Sequence, residues 1–180
     1  FLDGSLLDGH LPPEAHSLGW AVVALHDDRP VSVAMLAGGL PAGSYDIDAV
    51  ELWAFLRALR LALPSATFWT DSQFVHDGVH VRGRSYCLSA SAAWAEIWIQ
   101  VWAAIDDRGG VEALRLHKVK AHTTVADLER GLITARQRVG NACADATAKE
   151  AAEFTRAPLA YRNAYAAQAK VLCFLTAWVG

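Results

Sequence analysis

Four carboxylates stand where the chain is expected to pass from one element to the next: Asp3 in "FLDGS", Glu51 in "AVELWAF", Asp71 in "FWTDSQF" and Asp145 in "NACADAT". Asp3 is read at the end of a first strand and Glu51 in the first turn of a helix. Asp71 directly follows an apolar strand, and Asp145 falls in the first turn of the last core helix. Residues at element termini can converge at one edge of a sheet although far apart in sequence. Carboxylates brought together repel, and a divalent cation relieves the repulsion. Oxygen-only ligation points to Mg²⁺ or Mn²⁺ rather than zinc. Two such ions roughly 3.5–4 Å apart can activate a water and stabilise the leaving oxygen of a phosphodiester.

Each acid has a simpler role when taken singly. Asp3, like Asp8, precedes a glycine and can serve a turn. Glu51 would complement a helix macrodipole, Asp71 would cap the helix that follows it, and Asp145 would be an ordinary solvated residue. His122 would be a surface loop histidine.

The elements that must carry these groups follow from the apolar patterning. "LGWAVVALHD" and "VSVAMLAGGL" flank the turn-rich "DDRP" and read as an antiparallel hairpin, preceded by "FLDGS" as the end of another strand. Residues 46–64 carry Val50, Trp53, Ala54, Leu56, Leu59, Leu61 and Leu63 at helical spacing with Arg57 and Arg60 outside, and Pro64 ends the run. "ATFWT" is a short central strand and "DSQFVHDGVHV" a short helix. Residues 89–110 form a longer helix, capped by Ser89 or Ser91 and stopped at Gly109, whose Trp94, Trp98 and Trp102 make a core stripe. "VEALRLHKV" is an alternating strand, and residues 120–138 a polar loop whose Arg130, Arg136 and Arg138 can touch phosphates or simply be solvated. "VGNACADATAKEAAEF" is an alanine-rich helix. Helices alternating with strands after a meander imply an α/β domain, a mixed sheet covered on both faces, over residues 1–154. Residues 155–180 form an additional helix or linker.

At 180 residues, 53% hydrophobic and 19% charged, the chain can bury a core of its own and is no disordered polar segment. Its formal net charge of -3 gives no global basic field, so a polyanionic partner has to be held locally, by metal ions or by a neighbouring domain. Cys87, Cys143 and Cys173 form no C-x-x-C pair, which favours a reducing intracellular compartment, cytoplasmic or nuclear. The C-terminal apolar run "VLCFLTAWVG" falls short of the roughly 20 residues of a membrane span. A start at Phe1, two residues from Asp3, suggests a segment of a longer polypeptide.

The five stretches "LDGS", "AVELWAFLRAL", "WTDSQFV", "VKAH" and "VGNACADATAKEA", in this order, resemble the ribonuclease H family, above all the ribonuclease H domains attached to reverse transcriptases of retroelements. The resemblance covers about residues 1–154. It implies a ribonuclease H-like fold with a five-stranded mixed sheet. It also implies hydrolysis of the RNA strand of RNA–DNA hybrids, leaving a 3′-hydroxyl and a 5′-phosphate. By that resemblance Asp3, Glu51, Asp71 and Asp145 bind two Mg²⁺ ions, Mn²⁺ substituting, with Asp3 bridging them. His122, on a mobile loop, assists proton transfer or product release. Ser5, Ser72 and Asn141, beside the matching acids, and Arg138 in the loop after the last strand, are the expected substrate contacts. A reverse transcriptase is the expected covalent neighbour. The chain departs from the family where "LLDGHLPPEAHS" replaces a glycine-rich stretch and where "DID" precedes Glu51. Two other readings compete: a catalytically idle tether of the same fold, and another nuclease of that fold. An exonuclease would carry D-x-E on the first strand, where this chain has Asp3, Gly4 and Ser5.

Overall fold

The computed structural model describes residues 1–26, 32–41 and 45–179. Five strands, β1 (Leu2–Leu7), β2 (Ser17–Leu25), β3 (Ser32–Leu40), β4 (Thr67–Thr70) and β5 (Arg115–Lys118), form one sheet in the order β3-β2-β1-β4-β5. The first three pair antiparallel, and β4 joins β1 and β5 in parallel. The mixed five-stranded sheet is therefore as expected. The hairpin's predicted turn, "DDRP", lies outside the described residues.

Strand alternation fixes what covers each face. Ser5 pairs with Gly19 and Gly4 with Trp20, so Gly4 and Gly19 face opposite sides. A Cβ on Gly4 would sit 2.9 Å from Glu51 Cγ, on α1 (Ile47–Leu61). One on Gly19 would sit 2.2 Å from the Ala148 carbonyl oxygen. Ala148 belongs to the long helix Ala135–Phe154, which becomes α6 once the intervening helices are counted. Both helices thus come down onto the sheet where side chains are missing, one on each face.

The larger core fills the α1 side. Leu2, Leu18 and Phe68 of the sheet meet Val50, Phe55 and Leu59 of α1 and Ile97, Trp98 and Ile105 of α4 (Ala95–Asp106). The α6 side is thinner, with Ala144 against Val23 and Leu25, because alanine brings the helix close. Between β4 and α4 the chain makes α2 (Gln73–Asp77), a wider turn over Gly78–Arg82, and α3 (Gly83–Cys87).

Several boundaries differ from expectation, each for a local reason. The helix predicted from residue 89 begins at Ala95, because Trp94 adopts a left-handed backbone with φ 60° and leaves the helical path. Trp98 and Trp102 are buried as a core stripe, whereas Trp94 packs on Tyr45 with ring centroids 5.4 Å apart. The predicted polar loop contains α5 (Val125–Glu129), and α6 starts at Ala135 rather than at residue 139. Capping boxes start both helices, Thr124 with Asp127 and Thr134 with Gln137. β3, read as an apolar strand of the hairpin, is the sheet's edge strand and largely exposed, with Val33 60% and Met35 59% accessible.

A last helix, α7 (Leu159–Val179), follows α6. Its base is tied to the sheet through Asp8, which ends β1 in a left-handed turn with φ 59°. Arg156 donates to both Asp8 carboxylate oxygens at 2.7 Å, and Arg162 to one at 3.4 Å. Asp8 is thus a buried ion-pair hub rather than a simple turn residue. No helix among the described residues is long and apolar enough to cross a membrane.

Candidate active site

The site forms where β4 stops. Leu2 of β1 stands beside Thr70, the last residue of β4, so Asp71 leaves the sheet level with Asp3. Asp3 is not at the end of its strand but one residue inside it, paired with Ala21 and continuing to Leu7. Glu51 comes from α1, one turn further in than predicted, since Asp46 caps that helix and accepts from the Ala49 amide at 3.0 Å. Gly4, having no Cβ, lets α1 approach closely enough for Glu51 to arrive. The result is a group of three acids, Asp3, Glu51 and Asp71, whose ligand oxygens all lie within 4.8 Å of one another.

Burial makes this arrangement unfavourable in the absence of a cation. Asp3 is only 6% exposed, and its carboxyl is pushed up from the ordinary 3.8 to about 8. Loss of hydration is the largest cause. The charges of Asp71, Asp145 and Glu51 add to it, against one stabilising hydrogen bond from the Gly4 amide. Glu51 is pushed up from 4.5 to about 7, again mainly by burial, with a hydrogen bond from Ser72 opposing. These carboxyls cannot all ionise near neutral pH without compensating charge. The donor set is all oxygen, compact and partly desolvated, which fits a hard divalent cation.

Several neighbours hold the acids in place. Asn141, on α6 and 5% exposed, donates from Nδ2 to Asp71 Oδ2 at 3.2 Å, while its Oδ1 has no partner among the described residues. Ser72, rather than Asp71, caps α2, its Oγ accepting from the Val75 amide at 3.2 Å. Lys118 of β5 was not foreseen. Its ammonium donates to the Asp71 carbonyl oxygen, and its charge favours ionised Glu51. The signal was present in "RLHKV": alternation puts Lys118 on the same face as the buried Leu116, an unusual place for a solvated lysine.

The remaining predicted residues are placed as follows. Asp145 lies in the middle of α6 rather than in its first turn, and outside the group of three. Its Oδ2 accepts from Lys149 Nζ at 2.8 Å, and its charge still reaches Asp3. Ser5 is buried on β1, on the face that Gly19 turns to α6. His122 is exposed in the turn between β5 and α5, with a left-handed φ of 47°. Arg138 is half-buried and belongs to the first turn of α6 rather than to a loop.

Comparison with known proteins was made at three levels. No curated protein matches the chain. Among solved structures, the prototype foamy virus protease–reverse transcriptase is similar with a TM-score of 0.64 at 17% identity; the match covers 84% of this chain and 20% of that one. LC11-RNase H1 in complex with an RNA/DNA hybrid gives a TM-score of 0.53 at 16% identity, over 84% of this chain and 94% of the other. The N-terminal RNase H domain of a Mycobacterium tuberculosis protein gives 0.52 at 15% identity, covering 84% and 95%. These likenesses establish the fold. The family model for RNase H matches residues 1–153, nearly all of the five-stranded unit and its helices, and the chain therefore belongs to the RNase H family.

Proposed function

We propose that the chain is a divalent-metal-dependent endonuclease that hydrolyses the RNA strand of RNA–DNA hybrids, working beside a reverse transcriptase domain in a retroelement polyprotein. The observation that carries this reading is the buried trio Asp3, Glu51 and Asp71 with its oxygens within 4.8 Å. Mg²⁺ held there, with Mn²⁺ able to replace it, would supply Lewis-acid stabilisation of phosphodiester charge and activate a water nucleophile. Asp145 serves as a fourth ligand from α6, close enough already for its charge to act on Asp3.

The chain's own groups supply orientation and proton handling. Asn141 and Lys118 fix Asp71 from two sides, one on its carboxylate and one on its carbonyl oxygen. Ser72 steadies Glu51. His122, exposed in the loop that follows β5, accepts or delivers a proton and accompanies product release, a task suited to an imidazole on a loop. Arg138 contributes to the substrate-facing surface, whereas Ser5, buried on the sheet face that α6 covers, does not reach it. The foamy virus neighbour, a protease–reverse transcriptase chain of which this fold makes up a fifth, supports the retroelement setting. The neighbour bound to an RNA/DNA hybrid supports the substrate.

An idle tether of the same fold would have no use for three acids buried at such cost to stability. The decisive assay offers the protein a labelled hybrid, with single-stranded RNA and duplex DNA as controls. Cleavage of the hybrid's RNA strand with Mg²⁺ or Mn²⁺, and none in EDTA, is the expected result. Equal cutting of all three substrates, or cutting that persists in EDTA, would overturn the proposal.

A further inference from the structure

The segment after Ser72 presses one face onto the core and turns the other outward. Phe74 packs on Trp98 with ring centroids 5.7 Å apart, Val75 and Val79 are buried, and a Cβ on Gly78 would overlap the Trp98 ring. The opposite face carries His76, half-buried, and His80, exposed, four residues apart. Between them α2 gives way to the wider turn, in which the Gly83 amide returns to the Gly78 carbonyl, five residues back. The two imidazoles meet there, with ring centroids 4.9 Å apart and planes inclined by 54°.

Each ring is held through one nitrogen. His80 Nε2 donates to the Leu116 carbonyl at 3.2 Å, on β5 at the edge of the sheet. His76 Nδ1 donates to Asp77 Oδ1 at 3.3 Å, and the same oxygen accepts from Gln73 Nε2 at 2.6 Å. A carbonyl or carboxylate oxygen only accepts, so these two nitrogens carry the protons, and in the neutral rings His80 Nδ1 and His76 Nε2 keep their lone pairs. A ring N–H given to a carboxylate or carbonyl is the arrangement that orients metal-ligating histidines. Two imidazoles sharing one ion at tetrahedral angles, with metal–nitrogen distances of about 2.0–2.1 Å, hold their centroids roughly 5 Å apart. The observed 4.9 Å matches that separation.

We propose that His76 and His80 form a chelate for a late first-row transition ion, Zn²⁺, Cu²⁺ or Ni²⁺, separate from the carboxylate trio. Imidazole nitrogen suits these ions, whereas Mg²⁺ prefers the all-oxygen set of Asp3, Glu51 and Asp71. His76 binds through Nε2 and His80 through Nδ1, water completes the coordination, and Asp77 and the Leu116 carbonyl stand behind the rings. The chelate spans α2 and the wider turn. Since α2 is capped by Ser72, which hydrogen-bonds Glu51, the ion braces the segment that lies directly behind the trio.

The test adds Cu²⁺ or Zn²⁺ to the protein with Mg²⁺ in excess throughout, so that the trio is not the site being read. Electron paramagnetic resonance of bound Cu²⁺ is expected to show coupling to two imidazole nitrogens in the native chain, and to lose one of them in His76→Gln and in His80→Gln. Zn²⁺ at about a hundred times its dissociation constant should raise the melting temperature of the native chain by roughly 5–10 °C. That shift should vanish in His80→Gln, whose amide can still donate to Leu116. Asp77→Ala should keep both couplings but bind the ion about tenfold more weakly. Cu²⁺ spectra identical in the native chain and both histidine variants, or a Zn²⁺ shift that survives in His80→Gln, would overturn the proposal. None of these readouts involves hybrid cleavage, so failure here leaves the proposed function untouched.

Discussion

Asp3→Asn is expected to lower hybrid cleavage by about 10³-fold or more while raising the melting temperature of the metal-free protein at pH 8 by roughly 4–8 °C. The two effects have one cause. Asp3 sits 6% exposed in a central strand, its carboxyl pushed up to about 8 by burial and by the charges of Asp71, Asp145 and Glu51. At pH 8 the folded chain must hold that charge or bind a proton, and either lowers stability relative to the unfolded state. Asparagine keeps the shape and can still accept the Gly4 amide hydrogen bond, 2.7 Å in the native protein, without bringing a charge. It also removes an anionic oxygen from the group that would hold the cation. A residue retained at a cost to stability, whose replacement costs activity, is one selected for function. Circular dichroism melts and a hybrid-cleavage time course test both halves. A variant that melts below the native chain, or one that cuts as fast, would show that Asp3 is a structural residue.

The metal-free protein should lose stability as pH rises from 5 to 8, its melting temperature falling by roughly 5–10 °C, and Mg²⁺ should abolish most of that fall. Asp3 and Glu51 are both held above their ordinary values, to about 8 and about 7. A carboxyl raised in the folded state takes up a proton on folding. Its contribution is fully present below about pH 4 and is lost as pH rises through 7 and 8. Asp127 works in the opposite direction: Lys120 and the Thr124 amide and hydroxyl hold its carboxyl well below the usual range, so its contribution is lost in acid. The window from pH 5 to 8 isolates Asp3 and Glu51 when the melts are run on protein acetylated at Phe1, because burial lowers the Phe1 ammonium from 8.0 to about 6 and its contribution would otherwise rise with pH and oppose theirs. A melting temperature that is flat across this window without metal would contradict the electrostatic description of the site.

Most of the frame was legible because the chain punctuates it clearly. "FWTDS" runs straight from apolar strand to acid, and β4 does end at Thr70 with Asp71 just beyond. The spacing of Val50, Ala54, Leu56 and Leu59 marked α1, and those residues are buried, whereas Leu61 and Leu63, counted in the same pattern, are exposed where the helix ends. Depth within elements was less legible. Glu51 and Asp145 were read as first-turn residues, yet they lie further in: α1 already begins at Ile47, as its apolar pattern implied, and Thr134 caps α6 earlier than the apolar pattern suggests. Thr134-x-x-Gln137 and Thr124-x-x-Asp127 are both capping-box patterns; polar composition between them disguised α5 as loop. Trp94 fits the tryptophan spacing but not the helix, since tertiary packing on Tyr45 fixes its backbone outside it. Asp3, Glu51 and Asp71 lie together as expected while Asp145 stays outside their group, and among the supports Asn141 and Ser72 were expected beside the acids but Lys118 was not. Nothing in a linear reading says that Lys118 and Asn141 meet Asp71 across 47 and 70 residues of chain.

The central claim is that Asp3, Glu51 and Asp71 gather because a divalent cation, rather than solvent, neutralises them. Calorimetric titration of Mg²⁺ into the protein at pH 7.5, repeated in two buffers of different ionisation enthalpy, measures both metal uptake and the protons displaced. Saturable binding with net proton release, both lost in Asp3→Asn, is the predicted result. Absence of saturable binding, or binding that releases no proton and survives the substitution, would contradict it.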